Sequence, residues 1–235
     1  MAIGVGVGLG GIAVLSLLTY RITFLIVIGA AVAVSVWELQ GPLRRARGLT
    51  ISWIPVGVGS VATVGLAWPY GPAALGIGIA ATTLACMVWR FRGGADGYLA
   101  DLSASVFVTV YVGLFAGFAT LMLVPADGAQ RILTFLILVV ANDVGGFAAG
   151  VLAGRHPMAP AISPKKSWEG FAGSVIVAGT GGALSMWLLL DHPWWQGAII
   201  GVVIAVVATT GDLMESLIKR DLGVKDMGTL LPGHG

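Results

Sequence analysis

The sequence predicts an all-α integral membrane protein, a polytopic bundle of about eight transmembrane helices with both ends in the cytoplasm. Three observations predict it. Hydrophobic residues make up 57% of the 235 and charged residues only 10%, with a mean hydropathy of +0.94, whereas a soluble globular domain carries about 25% charged residues. Apolar runs of the roughly 20 residues needed to cross a bilayer core recur along the whole length. Lys and Arg gather in a few connecting segments instead of spreading through the chain.

Continuous apolar runs without strict alternation select helices over barrel strands. The spans are expected at roughly 2–19, 22–40, 51–68, 72–90, 101–124, 131–153, 170–190 and 195–218. The first lacks the basic stretch that opens a signal peptide, and its Gly4, Gly6, Gly8 and Gly10 suit close helix packing. One set of connections and ends holds Arg44, Arg45, Arg47, Arg90, Arg92, Arg155, Lys165, Lys166, Lys219, Arg220 and Lys225, and the other holds only Arg21 and Arg131. The positive-inside rule puts the first set in the cytoplasm.

Most of the 36 glycines fall inside spans, where Gly146 and Gly150 show small-xxx-small spacing. Such glycine-lined faces also suit a homodimer. Trp68, Trp194 and Trp195 near span ends fit an interfacial aromatic belt. No stretch is polar enough for a linker, so residues 1–235 are expected to form one transmembrane domain, with N-terminal helices in 1–130 and the chemistry in 131–235. The single cysteine, Cys86, excludes an internal disulfide, and a net charge of +2 gives no reason to expect nucleic-acid binding.

Three polar groups demand more than packing. Asn142 and Asp143 lie in the middle of the sixth span, where an acid costs about 2.5–3.5 kcal/mol on insertion scales unless it meets a partner or a polar cavity. Asp212, Glu215, Ser216 and Lys219 share one helix face by their spacing of three and four; two acids and a base on one stripe suit a cation or phosphate site. The segment Ser163, Pro164, Lys165, Lys166, Ser167, Trp168, Glu169, Gly170 precedes the seventh span, with Ser167 placed to cap its start. A helix N-terminus beside two lysines holds phosphate well. Hard oxygen ligands beside Lys and Arg at headgroup depth suit a metal-assisted reaction between a nucleotide and a phospholipid.

The last twenty residues are more specific. Ser216-Leu217-Ile218-Lys219-Arg220, then Lys225-Asp226, then Pro232-Gly233-His234-Gly235 resemble the signature of the phosphatidate cytidylyltransferase (CDP-diacylglycerol synthase) family. The Ser163–Gly170 segment and the Asn142-Asp143 pair are similar to further family segments, so the likeness spans about the last hundred residues. The resemblance implies attack of the phosphatidic acid phosphate on the α-phosphorus of CTP, giving CDP-diacylglycerol and pyrophosphate with help from Mg²⁺ or another divalent cation, two metals being an option. It further implies metal binding by Asp212, Asp143 and Glu215. Lys219, Arg220 and Lys225 then hold one phosphate group and Lys165 and Lys166 the other, while Ser163, Glu169, Asn142, Asp143, Ser216 and His234 line the substrates and Asp226 joins the catalytic set.

In the family the pattern continues past His-Gly into an Asp-Arg-hydrophobic-Asp segment and a further helix, whereas this sequence stops at Gly235. The expectation is a chain that ends inside its own active site, with turnover needing the longer form. The implied location is the plasma membrane, multi-pass, with the active site facing the cytoplasm. Two other plans compete: a CTP-dependent lipid kinase of the dolichol or phytol kinase type, which benefits from a base beside its hydroxyl nucleophile, and a secondary transporter, whose two halves commonly repeat one polar motif.

Overall fold

Glycine and alanine are so frequent in the apolar runs that neighbouring helices can approach closely, as they do at Gly59, Gly78, Gly145 and Gly182, whereas a methyl group at Gly4, Gly8 or Gly10 would meet nothing within 4 Å, so these three do not serve the close packing expected of them. The computed structural model describes residues 2–228, except for the side chains of residues 2, 3 and 7. Its helices are α1 (Ala2–Thr19), α2 (Arg21–Arg47), α3 (Trp53–Tyr70), α4 (Pro72–Arg90), α5 (Tyr98–Val108), α6 (Phe115–Leu123), α7 (Gly128–Ala153), α8 (Trp168–Leu189) and α9 (Trp194–Asp221). A π-helical stretch, Thr109–Leu114, joins α5 to α6 in a single rod. Each of the eight expected spans therefore coincides with a helical rod. Among the described residues, six rods have the length and apolarity to cross a membrane, those starting at Arg21, Pro72, Tyr98, Gly128, Trp168 and Trp194. The protein is a multi-pass, all-α membrane protein.

Two features depart from the expected pattern. α2 runs on to Arg47, past the apolar stretch, and Gly48 at φ 68° closes it, its N–H donating to the Arg44 carbonyl at 3.0 Å and the following Leu49 N–H to the Leu43 carbonyl at 3.2 Å. A small antiparallel hairpin, β1 (Pro157–Ala159) and β2 (Ser163–Ser167), interrupts the helices between α7 and α8.

The described residues up to Ala126, together with those from Leu222 on, form one unit, and Asp127–Asp221 form the other. In the first unit α3 packs against α2, α4, the π stretch and α6. Its buried core includes Val36, Val56, Val64, Val108 and Cys86. At the α4–α5 end, Asp101 is buried and bridges Arg90 to the backbone of Thr50. At the opposite end of the unit's chain path, Arg21 donates to the carbonyls of Pro125 (2.8 Å) and Ala126 (2.5 Å).

In the second unit α7 packs on α8 and α8 on α9. Asp127 precedes α7 and accepts from Arg131 Nε at 2.9 Å, a hydrogen bond that holds its carboxyl below the usual carboxylate pKa. The Gly146 and Gly150 pair faces α8: a methyl group at Gly146 would lie 2.6 Å from Ser174 Oγ. The α8–α9 crossing is tighter still, with Gly182 and Gly197 each against the other's carbonyl. Gly197→Leu is therefore expected to destabilise the protein by about 1–3 kcal/mol or more. Gly211→Ala, where a new methyl group meets nothing within 4 Å, should be neutral or gain up to about 1 kcal/mol. Thermal unfolding of both variants in the same detergent checks this, and equal midpoints would remove the crossing from the account.

Candidate active site

The site is built from three segments of the second unit that sequence distance keeps apart. α7 is long enough to carry Asn142 and Asp143 near its middle while its last turns reach the hairpin. α8 begins after Ser167, which still has the strand conformation, at φ −121° and ψ 156°, and whose Oγ accepts the Gly170 N–H at 3.1 Å. That is the cap its sequence position suggests. α9 brings Thr209 and Asp212 alongside.

Asn142, Asp143, Lys165, Lys166, Ser167, Ser174 and Asp212 are among the residues lining one cavity of about 230 Å³. Lys166 spans it: Nζ donates to Asp212 Oδ2 at 2.9 Å and to the Thr209 carbonyl at 3.3 Å. Lys165 is exposed on the same strand. Asn142 is 3% exposed; its Nδ2 donates to Asp143 Oδ1 at 3.0 Å, and its carbonyl accepts from Ser174 Oγ at 2.7 Å. Asn142 Oδ1 is buried with no hydrogen-bond partner, an arrangement that natural interiors rarely leave standing. Asp143 and Asp212 are both exposed and line the cavity. Phe147, also in the wall, is 75% exposed, so the cavity's rim continues onto an exposed apolar side of α7 that also carries Val144 and Val151.

Cation and anion ligands thus meet in one place. The Asp143 and Asp212 carboxylates and the unpartnered Asn142 oxygen are hard oxygen donors of the kind Mg²⁺ takes. Among the described residues no three Asp, Glu, His or Cys side chains converge as a ready-made cage. Lys165, Lys166 and the positive end of the α8 dipole, with Ser167 and Gly170 in the wall, suit phosphate.

Other candidates are not among the residues that line this cavity. Glu215 pairs with Lys219 at 2.6 Å one turn along α9 and does not line the cavity, and neither do Ser216, Lys219 and Arg220. Ser163 opens β2, and Glu169 turns back to the end of α7; both are outside the lining. Lys225 and Asp226 belong to the first unit. His234 lies outside the described residues. Ser174, the Thr209 carbonyl, Met158 and the hairpin itself carry no mark in the sequence that sets them apart as parts of a site. Pro157, Pro160 and Pro164 mark an irregular segment, but no two-residue turn signal marks a hairpin there.

A family model described as "Cytidylyltransferase family" matches residues 1–235. The phosphatidate cytidylyltransferase of Mycobacterium leprae is 43% identical over 250 residues, covering 100% of this chain and 80% of the relative. The phosphatidate cytidylyltransferase of Mycobacterium bovis is 41% identical over 247 residues, with 100% and 80% covered. The one from Mycobacterium tuberculosis H37Rv is 41% identical, with 100% and 75% covered.

Proposed function

The chain belongs to the cytidylyltransferase family, and on that premise we propose that it makes CDP-diacylglycerol and pyrophosphate from CTP and phosphatidic acid. The observation that carries this reading is the meeting of Lys165, Lys166, Asp143 and Asp212 in one cavity whose rim reaches an exposed apolar side of α7, the kind of face that lipid covers in a membrane protein. A phospholipid phosphate can enter such a cavity laterally while a soluble nucleotide enters from the aqueous end. The mycobacterial relatives carry the name of this activity, which favours it over a lipid kinase or a transporter.

An oxygen of the phosphatidic acid phosphate attacks the α-phosphorus of CTP. The bond from that phosphorus to the oxygen bridging it to the β-phosphate breaks, and pyrophosphate leaves with the bonding pair. Both reactants are anions, so Lys165 and Lys166 and the α8 N-terminus offset their repulsion and hold them in line. Lys166 is poised by Asp212 and the Thr209 carbonyl, which aims its ammonium group across the cavity. Asp143, Asp212 and Asn142 Oδ1 would hold a divalent cation, which when bound neutralises charge on the attacking and leaving oxygens. No general base is needed, because a phosphate monoester is already ionised near neutral pH. The asymmetry of Lys and Arg supports a cytoplasmic active face, and the short connections suit a cell's plasma membrane.

CTP labelled separately at the α and γ positions tests the reaction. The chain, and a version extended to the length of its mycobacterial relatives, would be incubated with phosphatidic acid with and without Mg²⁺. Label from the α position is expected in lipid and label from the γ position in pyrophosphate, both dependent on the cation. Passage of γ label to a lipid alcohol offered in parallel would replace this reading with the kinase.

A further inference from the structure

The α7 helix ends at Ala153, with the Gly154 N–H donating to the Gly150 carbonyl. The next two backbone N–H groups, those of Arg155 and His156, have left the helix and need acceptors. Both find the same one: Glu169 Oε2, at 3.1 and 3.2 Å. Glu169 Oε1 pairs with His156 Nδ1 at 2.5 Å, and the Trp168 N–H donates to the His156 carbonyl at 3.0 Å. The 157–167 hairpin is therefore fastened across its base, end of α7 to start of α8.

That fastening has a job to do. β1 has three residues and β2 five, and their register shifts between the Pro157–Ser167 and Ala159–Ser163 pairs. A two-stranded hairpin of this size has little stability of its own. Yet it carries Lys165 and Lys166, and Lys166 must reach α9 to meet Asp212 and Thr209. Glu169 does not line the cavity, and its carboxylate is met by three donors at the end of α7.

We infer that Glu169 is a positioning residue that clasps the hairpin and acts on the reactants only through Lys165 and Lys166. The inference rests on the cytidylyl-transfer reading for its kinetic consequence, while its structural part can be read without turnover. An acceptor for backbone N–H groups need not be charged, so glutamine at this position serves and alanine does not.

The test compares Glu169→Ala and Glu169→Gln with the parent in steady-state cytidylyl transfer and, without substrates, in trypsin cleavage after Lys165 and Lys166. Glu169→Ala should raise KM for CTP or phosphatidic acid about tenfold or more with kcat within about threefold, and Glu169→Gln should bring KM back to within about threefold of the parent. Cleavage should be faster in the alanine variant and parent-like in the glutamine one. If glutamine is as damaging as alanine while both resist trypsin, the charge itself meets a reactant and the inference fails. It fails also if Glu169→Ala matches the parent in both readouts. Should Glu169→Ala not reach a folded state in detergent, His156→Ala, which removes one donor and keeps both backbone N–H groups, should show smaller changes in the same direction; parent-like behaviour there overturns the clasp. A parent without turnover would count against the functional reading, and the trypsin comparison would still decide the clasp.

Discussion

Asp212→Asn is expected to lower cytidylyl transfer by about 10²–10³-fold while leaving the folded protein almost as stable as the parent. The two halves of that expectation have different physical sources. Asp212 and Lys166 are 2.9 Å apart, with side-chain exposures of 52% and 25%. Ion pairs that open to solvent contribute about 0–1 kcal/mol to stability, so losing one charge changes the melting midpoint little. Asparagine keeps the shape and one oxygen, but it removes the negative charge that a divalent cation needs and that holds the Lys166 ammonium in line. In the proposed reaction both effects fall on the step where charge moves from the attacking oxygen to pyrophosphate. Transfer of α label to lipid and thermal unfolding in detergent, measured on one preparation, separate the two. Turnover within about threefold of the parent would remove Asp212 from the chemistry. A large loss of stability would mean that the residue holds the second unit together.

The helical rods were legible because membrane spans announce themselves by length and apolarity, which need no knowledge of partners. Asn142, Asp143 and Asp212 were legible for the converse reason, since acids in apolar helices are expensive. Ser167 was visible as a cap through a purely local pattern. The pairing of Lys166 with Asp212 was not, because 46 residues separate them and only the hairpin's path brings them together. Spacing also grouped Glu215 and Lys219 with Asp212 on one helix face. They do pair with each other at 2.6 Å, but a shared face does not place them in the cavity that Asp212 lines. Glu169 shows the same limit. Its motif marked it as a residue of interest, and only the backbone N–H groups of Arg155 and His156 show what its carboxylate holds. Asp101 carries no such signal, because it stands at a helix start near Arg90 and Arg92, where an acid is ordinary.

That acid should nevertheless give the largest stability effect of any single polar side chain in the first unit. Asp101 is 6% exposed and lies in the first turn of α5. Its Oδ2 accepts from Arg90 Nε at 2.7 Å and its Oδ1 from the Thr50 N–H at 2.7 Å. Ser105 extends the network, donating to the Asp101 carbonyl at 2.8 Å and accepting from the Ser52 N–H at 3.0 Å. One carboxylate thus ties the end of α4 and the start of α5 to the α2–α3 connection. Asp101→Ala would leave a largely buried guanidinium without its Nε partner and a backbone N–H without an acceptor. Removing one member of a buried pair costs about 3–5 kcal/mol. Arg90 keeps the Asp96 carbonyl at 2.8 Å, which argues for the lower end, and a loss of about 3 kcal/mol corresponds to a midpoint lower by about 6–12 °C for a chain of this size. Replacing both members, as Asp101→Leu with Arg90→Met, should recover part of the loss, because no uncompensated charge remains buried. The Thr50 N–H stays unpaired in that double variant, so recovery should stop short of the parent. Midpoints for Asp101→Ala, for Asp101→Leu and Arg90→Met singly, and for the double variant decide the matter. A single variant within about 1 °C of the parent would mean that water or lipid headgroups satisfy these groups equally well.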